Sequence, residues 1–532
     1  MDYKNIVICS DGTGNTTIKG RGTNVFKLFE AVDVNGHRTD PKLRRQLTFY
    51  DDGVGTQELR WIRAFAGATG YGLSRNVKRL YRELCRVYEP GDHIYLFGFS
   101  RGAFTVRTLA GLIADCGVIS PAEYATEQAF RAQARAAYKA YRRKYRALLT
   151  KMIPRHGVTA DEFKVRYARK DADGRPHRPR IRLLGVWDTV DAVGLPFRLA
   201  DFWNRVIWQF KFRTTTLSDI VDKGYHALAL NDDRASFSPV LWNEPPDSPT
   251  THIEQVWFAG AHSNVGGGYP QQGMSLVALD WMMAKAEADG LRFNAVARAH
   301  YRSQHAYADR LYNPRAGLGT FYRWKPRNVR QLCADKGIDV PQIHLSAIER
   351  IIQAPEGYAP GNIPPHCAIV ATEDEPLIDE PAIARAIARA HGGAEASSLI
   401  EQQTAWVRVG FAGYLVFIVG IASAALRALW VAIGGTLSVD ALASTFSEIE
   451  SMPMRLALAV GQDPIAATTL ATGLVLGYIL SDLSDRRTTH VYSAFWHRHR
   501  PALREATRRT PAPPAARREP GGRRERHGLV QT

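Results

Sequence analysis

Short apolar runs broken by clusters of turn-forming residues alternate with helical periodicity along the first part of the chain. Ile6-Val7-Ile8-Cys9 is unbroken and apolar, and it stops at Ser10-Asp11-Gly12-Thr13-Gly14-Asn15, which predicts a buried strand opening into a loop. Leu47 to Tyr50 repeats the pattern ahead of Asp51-Asp52-Gly53-Val54-Gly55-Thr56. Asn76 to Tyr88 has the spacing of an amphipathic helix and ends at Pro90-Gly91-Asp92. His93 to Phe99 is almost continuously apolar, as expected for a strand covered on both faces, and a helix is predicted over Ala103 to Ala114. Further strands are predicted at Ile181 to Trp187 and Gln255 to Phe258. This alternation predicts an α/β domain over residues 1–395, with a mostly parallel sheet flanked by helices.

Two segments depart from that rhythm. Ala122 to Lys151, within an insertion over 122–180, is rich in Ala, Arg, Lys and Tyr and is predicted to be helical. It reads either as a basic lid or membrane-facing element, or as a solvated helical face with Tyr packed beneath it. Near the C-terminus, Val409 to Leu426 and Pro464 to Ser481 are uncharged stretches of 18 residues each. That length is about the lower limit for crossing a bilayer core, so residues 405–482 are predicted to form a two-helix transmembrane hairpin, the alternative being a pair of buried core helices. The loop between them carries Asp440, Glu448, Glu450 and Asp463 against Arg455, whereas the segment that follows is dense in Arg. By the positive-inside rule, both chain ends and the catalytic domain are then expected on the cytoplasmic side of a bacterial inner membrane.

Charge refines this picture. The formal net charge is +17, and from Arg486 to the C-terminus 12 Arg face 3 acidic residues, a surplus of nine. An Arg-rich tail over 483–532, with Pro511-Ala512-Pro513-Pro514 inside it, is expected to be disordered and to meet anionic lipid headgroups. Nucleic acid is not expected as a partner, because no recognised binding motif accompanies the charge. The five cysteines are widely spaced and contain no CxxC pair, which argues against a zinc site or a disulfide framework. Met1-Asp2-Tyr3-Lys4 leads straight into a strand, without the apolar region of a secretory signal.

Gly98-Phe99-Ser100-Arg101-Gly102 matches G-x-S-x-G between a predicted strand and a predicted helix, the setting of an α/β-hydrolase nucleophile elbow. A phosphate-binding turn and an inert turn are the competing uses of such a loop. If Ser100 is a nucleophile, it needs an acid and a base downstream, in the order Ser, Asp, His. Asp188 follows a predicted strand directly, although a cap or turn role suits it too; His262 sits in the Gly-rich segment Trp257 to Tyr269, just beyond another strand. His226 is the rival base, but its flanks read as helical and apolar, which favours a supporting position in the core. The backbone N–H of Arg101 is expected to bind the oxyanion, with a further donor from Gly12 or Thr13. Asp11 reads equally as a turn-stabilising carboxylate and as a site residue.

These blocks, together with Gly67-Ala68-Thr69-Gly70 and Tyr358 to Pro364, resemble the uncharacterised α/β-hydrolase domain found in type VI secretion phospholipase effectors of the first lipase class. The resemblance runs over about residues 4 to 370. It implies a Ser100-Asp188-His262 triad acting on lipid esters without a metal or other cofactor. The family's histidine block usually carries Asp where this chain has Asn264, which marks Asn264 as a residue to place. The expected function is cleavage of lipid carboxylic esters, as a phospholipase A or lysophospholipase, through an acyl-serine intermediate. The alternatives are an inactive membrane-tethered scaffold and a secreted antibacterial phospholipase effector.

Overall fold

The structure is a computed structural model, and it describes residues 3–12, 22–53, 71–144, 157–190, 215–244, 252–316, 322–372, 379–432, 458 and 460–508. Eight strands form one sheet: β1 (Asn5–Ser10), β2 (Gln46–Asp51), β3 (His93–Phe99), β4 (Ile181–Trp187), β5 (Val221–Ala229), β6 (His252–Phe258), β7 (Gln342–His344) and β8 (Ala368–Val370). Their order is β2-β1-β3-β4-β5-β6-β7-β8, and each neighbouring pair is parallel. After β1 the chain lays β2 on one side and then crosses back to lay β3 on the other. The carboxyl ends of β1 and β3 therefore flank a topological switch point, where open α/β sheets form their crevices.

The helices used below are α1 (Asn24–Ala31), α2 (Tyr71–Val87), α3 (Arg101–Cys116), α4 (Glu127–Lys144), α5 (His262–Gly266), α6 (Gly273–Ala288), α7 (Leu345–Gln353), α8 (Glu380–His391), α9 (Ala394–Ala432) and α10 (Pro464–Ala506). Every residue of β1 is buried, because α2, α3 and α4 cover one face of the sheet while α1 and α6 cover the other. This double covering also explains a departure from expectation. The segment around His226 is the central strand β5, not a helix: with both faces buried it shows no apolar–polar alternation, and periodicity does not separate the two.

In the basic insertion, α4 buries Phe130, Ala134, Ala137, Tyr138, Ala140 and Tyr141 and leaves Arg131, Arg135 and Lys139 exposed. Tyr141 lies so close to α3 that a Cβ on Gly111 would meet its hydroxyl at 2.8 Å. Tyrosines packed beneath an exposed basic face suit a solvated helix and a membrane-facing element alike. Residues 145–156 of the insertion lie outside the described residues.

Helices α9 and α10 pack antiparallel and are long and apolar enough to cross a membrane. Their contact is a seam of small residues: a Cβ on Gly420 would lie 2.9 Å from Gly473 Cα, and one on Gly477 2.8 Å from Phe417 Cβ. The outward faces carry exposed Leu415, Val419, Leu426, Ile465, Val475 and Ile479. Residues 483–506, placed by their charge in the Arg-rich tail, instead continue α10 as helix. Tyr492, Phe495, Trp496 and Leu503 fall on one helical face and are buried in a core cluster shared with α7 and α8. Trp496 Nε1 donates to the carbonyl of Pro360 at 2.8 Å, and Arg500 Nε to that of Ile351 at 2.9 Å. Most of the loop between the two helices, and the tail from 509, lie outside the described residues.

Candidate active site

Ser100 occupies the turn between β3 and α3 with φ 58° and ψ −121°, a conformation that costs a non-glycine residue on the order of 1–3 kcal/mol. Two glycines make the turn possible. A Cβ on Gly98 would lie 2.6 Å from the carbonyl oxygen of Gly102, and one on Gly102 would lie 2.0 Å from that of Ser10. The first turn of α3 is thus pressed against the end of β1, at the switch point. The amide of Ser100 donates to the carbonyl of Trp187 at 3.1 Å, which ties the elbow to the end of β4.

The structure brings the three expected side chains together from three strand ends. Ser100 Oγ lies 2.8 Å from His262 Nε2, and His262 Nδ1 lies 2.6 Å from Asp188 Oδ2. A carboxylate facing Nδ1 accepts, so the ring proton resides on Nδ1 and Nε2 is left as an acceptor for the serine hydroxyl. His262 stands at the start of α5, two residues beyond Gly260, and its amide donates to Asp232 Oδ2 at 3.2 Å. Its ring packs on Phe99 at 4.6 Å and meets the edge of Phe237 at 5.3 Å. Gly266 makes room for this arrangement, since a Cβ there would lie 2.0 Å from the Phe99 ring.

Asp188 is fully buried and has a positive φ of 36°. Burial alone would raise its pKa, but the Arg327 guanidinium and the bond to His262 outweigh it and hold the carboxyl well below the usual carboxylate range. Arg327 bridges both oxygens, Nη1 to Oδ1 at 2.7 Å and Nη2 to Oδ2 at 2.9 Å, and the amide of Ala229 donates to Oδ1 at 3.0 Å. Arg327 also donates to the carbonyl of Phe237 at 2.7 Å. No local motif announces Arg327 or Asp232; each acts through a distant strand end, and each escapes a reading made along the chain.

The remaining expected residues that the structure describes lie around this trio in different roles. His226 lies inside β5, with Nδ1 3.3 Å from Gln255 Oε1 and Nε2 accepting from the amide of Thr189 at 3.1 Å. Burial and the nearby Arg107 push it down to about 3, so it is a neutral brace for the backbone just after Asp188. Asp11 accepts from its neighbour Gly12 N–H at 2.6 Å, from Thr23 Oγ1 at 2.6 Å and from the Tyr50 hydroxyl at 2.7 Å, which is the turn-stabilising role. Gly12 N–H is therefore directed to Asp11 here and not into the crevice. Thr13 lies outside the described residues. The amide of Arg101 is one of the orphan donors of the first turn of α3. Asn264 accepts from Ala261 N–H at 3.3 Å and donates to the carbonyl of Arg310 at 3.0 Å. The second bond needs an amide donor that an ionised Asp lacks, so Asn264 serves to brace the histidine loop.

The wall of the site continues towards α9 and α10. Tyr322 meets Phe237 edge-on at 5.5 Å, and the Arg234 guanidinium, paired with Asp232, stacks on Phe237 at 3.4 Å. One residue on from Tyr322, Arg323 lies over the Phe411 ring at 4.0 Å, and Trp324 packs against Gly410 closely enough that a Cβ there would touch its ring at 2.8 Å. Arg315 donates to Ser481 Oγ at 2.5 Å. The crevice and the base of the helical pair are thus linked through the short segment 322–327. Chemically, the arrangement can activate a hydroxyl, offer the orphan amide of Arg101 to a developing oxyanion, and hold the base in one tautomer.

A family model described as "T6SS, Phospholipase effector Tle1-like, catalytic domain" matches residues 4–285. The uncharacterized protein YEL023C of Saccharomyces cerevisiae is 25% identical over 259 residues, covering 46% of this chain and 34% of its own length. The chain thus spans about a third of that relative. A crystal structure of an uncharacterized protein from Pseudomonas aeruginosa aligns at a TM-score of 0.33 and 15% identity, over 88% of this chain and 63% of the other.

Proposed function

The chain belongs to the T6SS Tle1-like phospholipase effector catalytic-domain family, and on that premise we propose that it is a membrane-anchored serine esterase that cleaves acyl esters of phospholipids. The observation that carries this reading is the unbroken series Ser100 Oγ, His262 Nε2, His262 Nδ1, Asp188 Oδ2, with both hydrogen bonds at or below 2.8 Å. In the proposed reaction His262 takes the Ser100 proton as Oγ bonds to the ester carbonyl carbon. The amide of Arg101 receives the negative charge that forms on the carbonyl oxygen. His262 then returns the proton to the departing alcohol, leaving acyl-Ser100, and a water molecule repeats the sequence to release the fatty acid. Asp188, held ionised by Arg327, stabilises the imidazolium that exists between the two transfers.

A lipid substrate is favoured over a soluble ester by the company the site keeps. We read α9 and α10 as the two arms of a transmembrane hairpin over 405–482. The reading is supported by exposed apolar side chains facing outwards and by a glycine seam inside, the distribution expected where lipid is the solvent. Acidic residues between the arms and arginines after them favour a cytoplasmic catalytic domain at a bacterial inner membrane, with the Arg-rich tail on anionic headgroups. Membership of an effector family favours a second reading, delivery to another cell's membrane, which toxicity seen only on periplasmic targeting would single out.

The test is turnover. Full-length protein reconstituted in mixed phospholipid vesicles is expected to release fatty acid and lysophospholipid, identified by mass spectrometry, and Ser100→Ala is expected to release neither. Folded wild-type protein that leaves every lipid intact would instead support the inactive scaffold.

A further inference from the structure

The guanidinium of Arg101 stands out among the arginines near the site because it has no partner among the described residues. Arg107, two turns along the same helix, is buried, donates to the carbonyl of Val240 and lies 4.7 Å above the Trp242 ring. Arg234 is paired with Asp232 and Arg327 with Asp188. Among the described residues the side chain of Arg101 has no hydrogen bond, ion pair or ring contact, although it is only partly exposed and sits beside the nucleophile. Burial pushes it down to about 10, and the group it senses electrostatically is Tyr322, not a carboxylate. It remains a cation at neutral pH, recessed and unneutralised. Tyr322 is also part of the Phe237 wall that meets His262, and Arg101 adjoins Ser100 in the chain, so the cation and this wall both belong to the surroundings of the serine.

An unpaired guanidinium in a partly desolvated position is unfavourable unless an anion completes it, and its planar fork matches the oxygens of a phosphate. Resting on the esterase reading above, we propose that Arg101 is a specificity-determining residue that binds the phosphodiester of a glycerophospholipid while the acyl ester is held at Ser100. The chemistry of the substrate fits the arrangement: the phosphate is carried on the glycerol carbon next to the one bearing the central ester. A cation on the residue adjoining the nucleophile is therefore within reach of it. Arg101 would favour phospholipids over neutral acylglycerols with the same chains and would be indifferent to the group beyond the phosphate.

The experiment compares kcat/KM for phosphatidylglycerol and for diacylglycerol of identical chains, each in mixed micelles, using full-length wild type, Arg101→Ala and Arg101→Lys. The ratio of the two values is expected to fall about 10- to 100-fold in Arg101→Ala, chiefly through KM for the phospholipid, and to recover in part in Arg101→Lys, which keeps the charge but loses the fork. Glycerol 3-phosphate is expected to inhibit the wild type competitively and the Ala variant much less. Labelling of Ser100 by a fluorophosphonate reports separately that each variant is folded and that the serine is reactive. Labelled enzymes whose substrate ratio is the same in all three forms would overturn the role of Arg101 alone. A wild type that neither labels nor hydrolyses either lipid would overturn the esterase reading and this inference with it.

Discussion

Arg327→Met removes the cation that keeps Asp188 ionised, and its consequences follow from the geometry. The substitution deletes two charged hydrogen bonds, at 2.7 and 2.9 Å, between fully buried groups and leaves the carboxylate with Ala229 N–H and His262. Breaking a buried pair from one side costs about 3–5 kcal/mol, a large share of a typical domain's stability. The pH dependence has a definite sign. In the wild type the folded pKa of Asp188 is depressed below the unfolded value of about 3.9, so its contribution is complete above that value and is lost as the pH falls through the folded one. In Arg327→Met burial dominates and raises the folded pKa, so the charged carboxylate is a burden at neutral pH that protonation relieves in acid. Urea unfolding followed by tryptophan fluorescence in detergent micelles should therefore show a deficit of about 3–5 kcal/mol at pH 7 that narrows towards pH 4, and the acid limb of kcat/KM should move upward. A variant as stable as the wild type at pH 7, or a deficit that does not change with pH, would refute the assignment of Arg327 to Asp188.

Other expectations are simpler to check. Ser100→Ala and His262→Ala should each lower kcat for ester hydrolysis by about 10⁴-fold or more, and the double variant should be little worse than either, because the pair acts as one unit; additive losses in steady-state assays would contradict this. Gly102→Ala drives a methyl into the Ser10 carbonyl and should cost about 3 kcal/mol or more, seen as loss of soluble folded protein or a large fall in midpoint, whereas wild-type behaviour would show that the elbow has room. Trp496→Ala should cost about 3–5 kcal/mol and open the end of α10 to limited proteolysis, because its indole fills the cluster with α7 and α8; unchanged resistance to protease would count against that docking.

What could be read along the chain was what is encoded locally. The elbow is local: a strand, two small residues and a helix within one short stretch specify where Ser100 points. Asp188 and His262 were legible because each follows an apolar run and the chain order of such sites is restricted. Arg327 and Asp232 were not, since the groups they hold at the site, Asp188 and the His262 amide, lie at other strand ends and nothing in their own neighbourhoods distinguishes them from surface charges. β5 was obscured because burial of both faces from Gly224 to Ala229 erases alternation, and β7 and β8 because three residues carry no period. The far end of α10 was hidden by its arginines: net charge suggested a solvated tail, while Tyr492, Phe495, Trp496 and Leu503 quietly shared one face. Asn264, which looked like a missing carboxylate, became intelligible only when the Arg310 carbonyl was seen opposite its amide.

The most direct measurement is mass spectrometry of full-length protein treated with a fluorophosphonate. A single stoichiometric adduct is expected on the peptide carrying Ser100, absent in Ser100→Ala, formed far more slowly in His262→Ala and prevented by prior incubation with phospholipid. Folded protein with no adduct at Ser100, or with modification spread over other hydroxyls and unaffected by lipid, would contradict it.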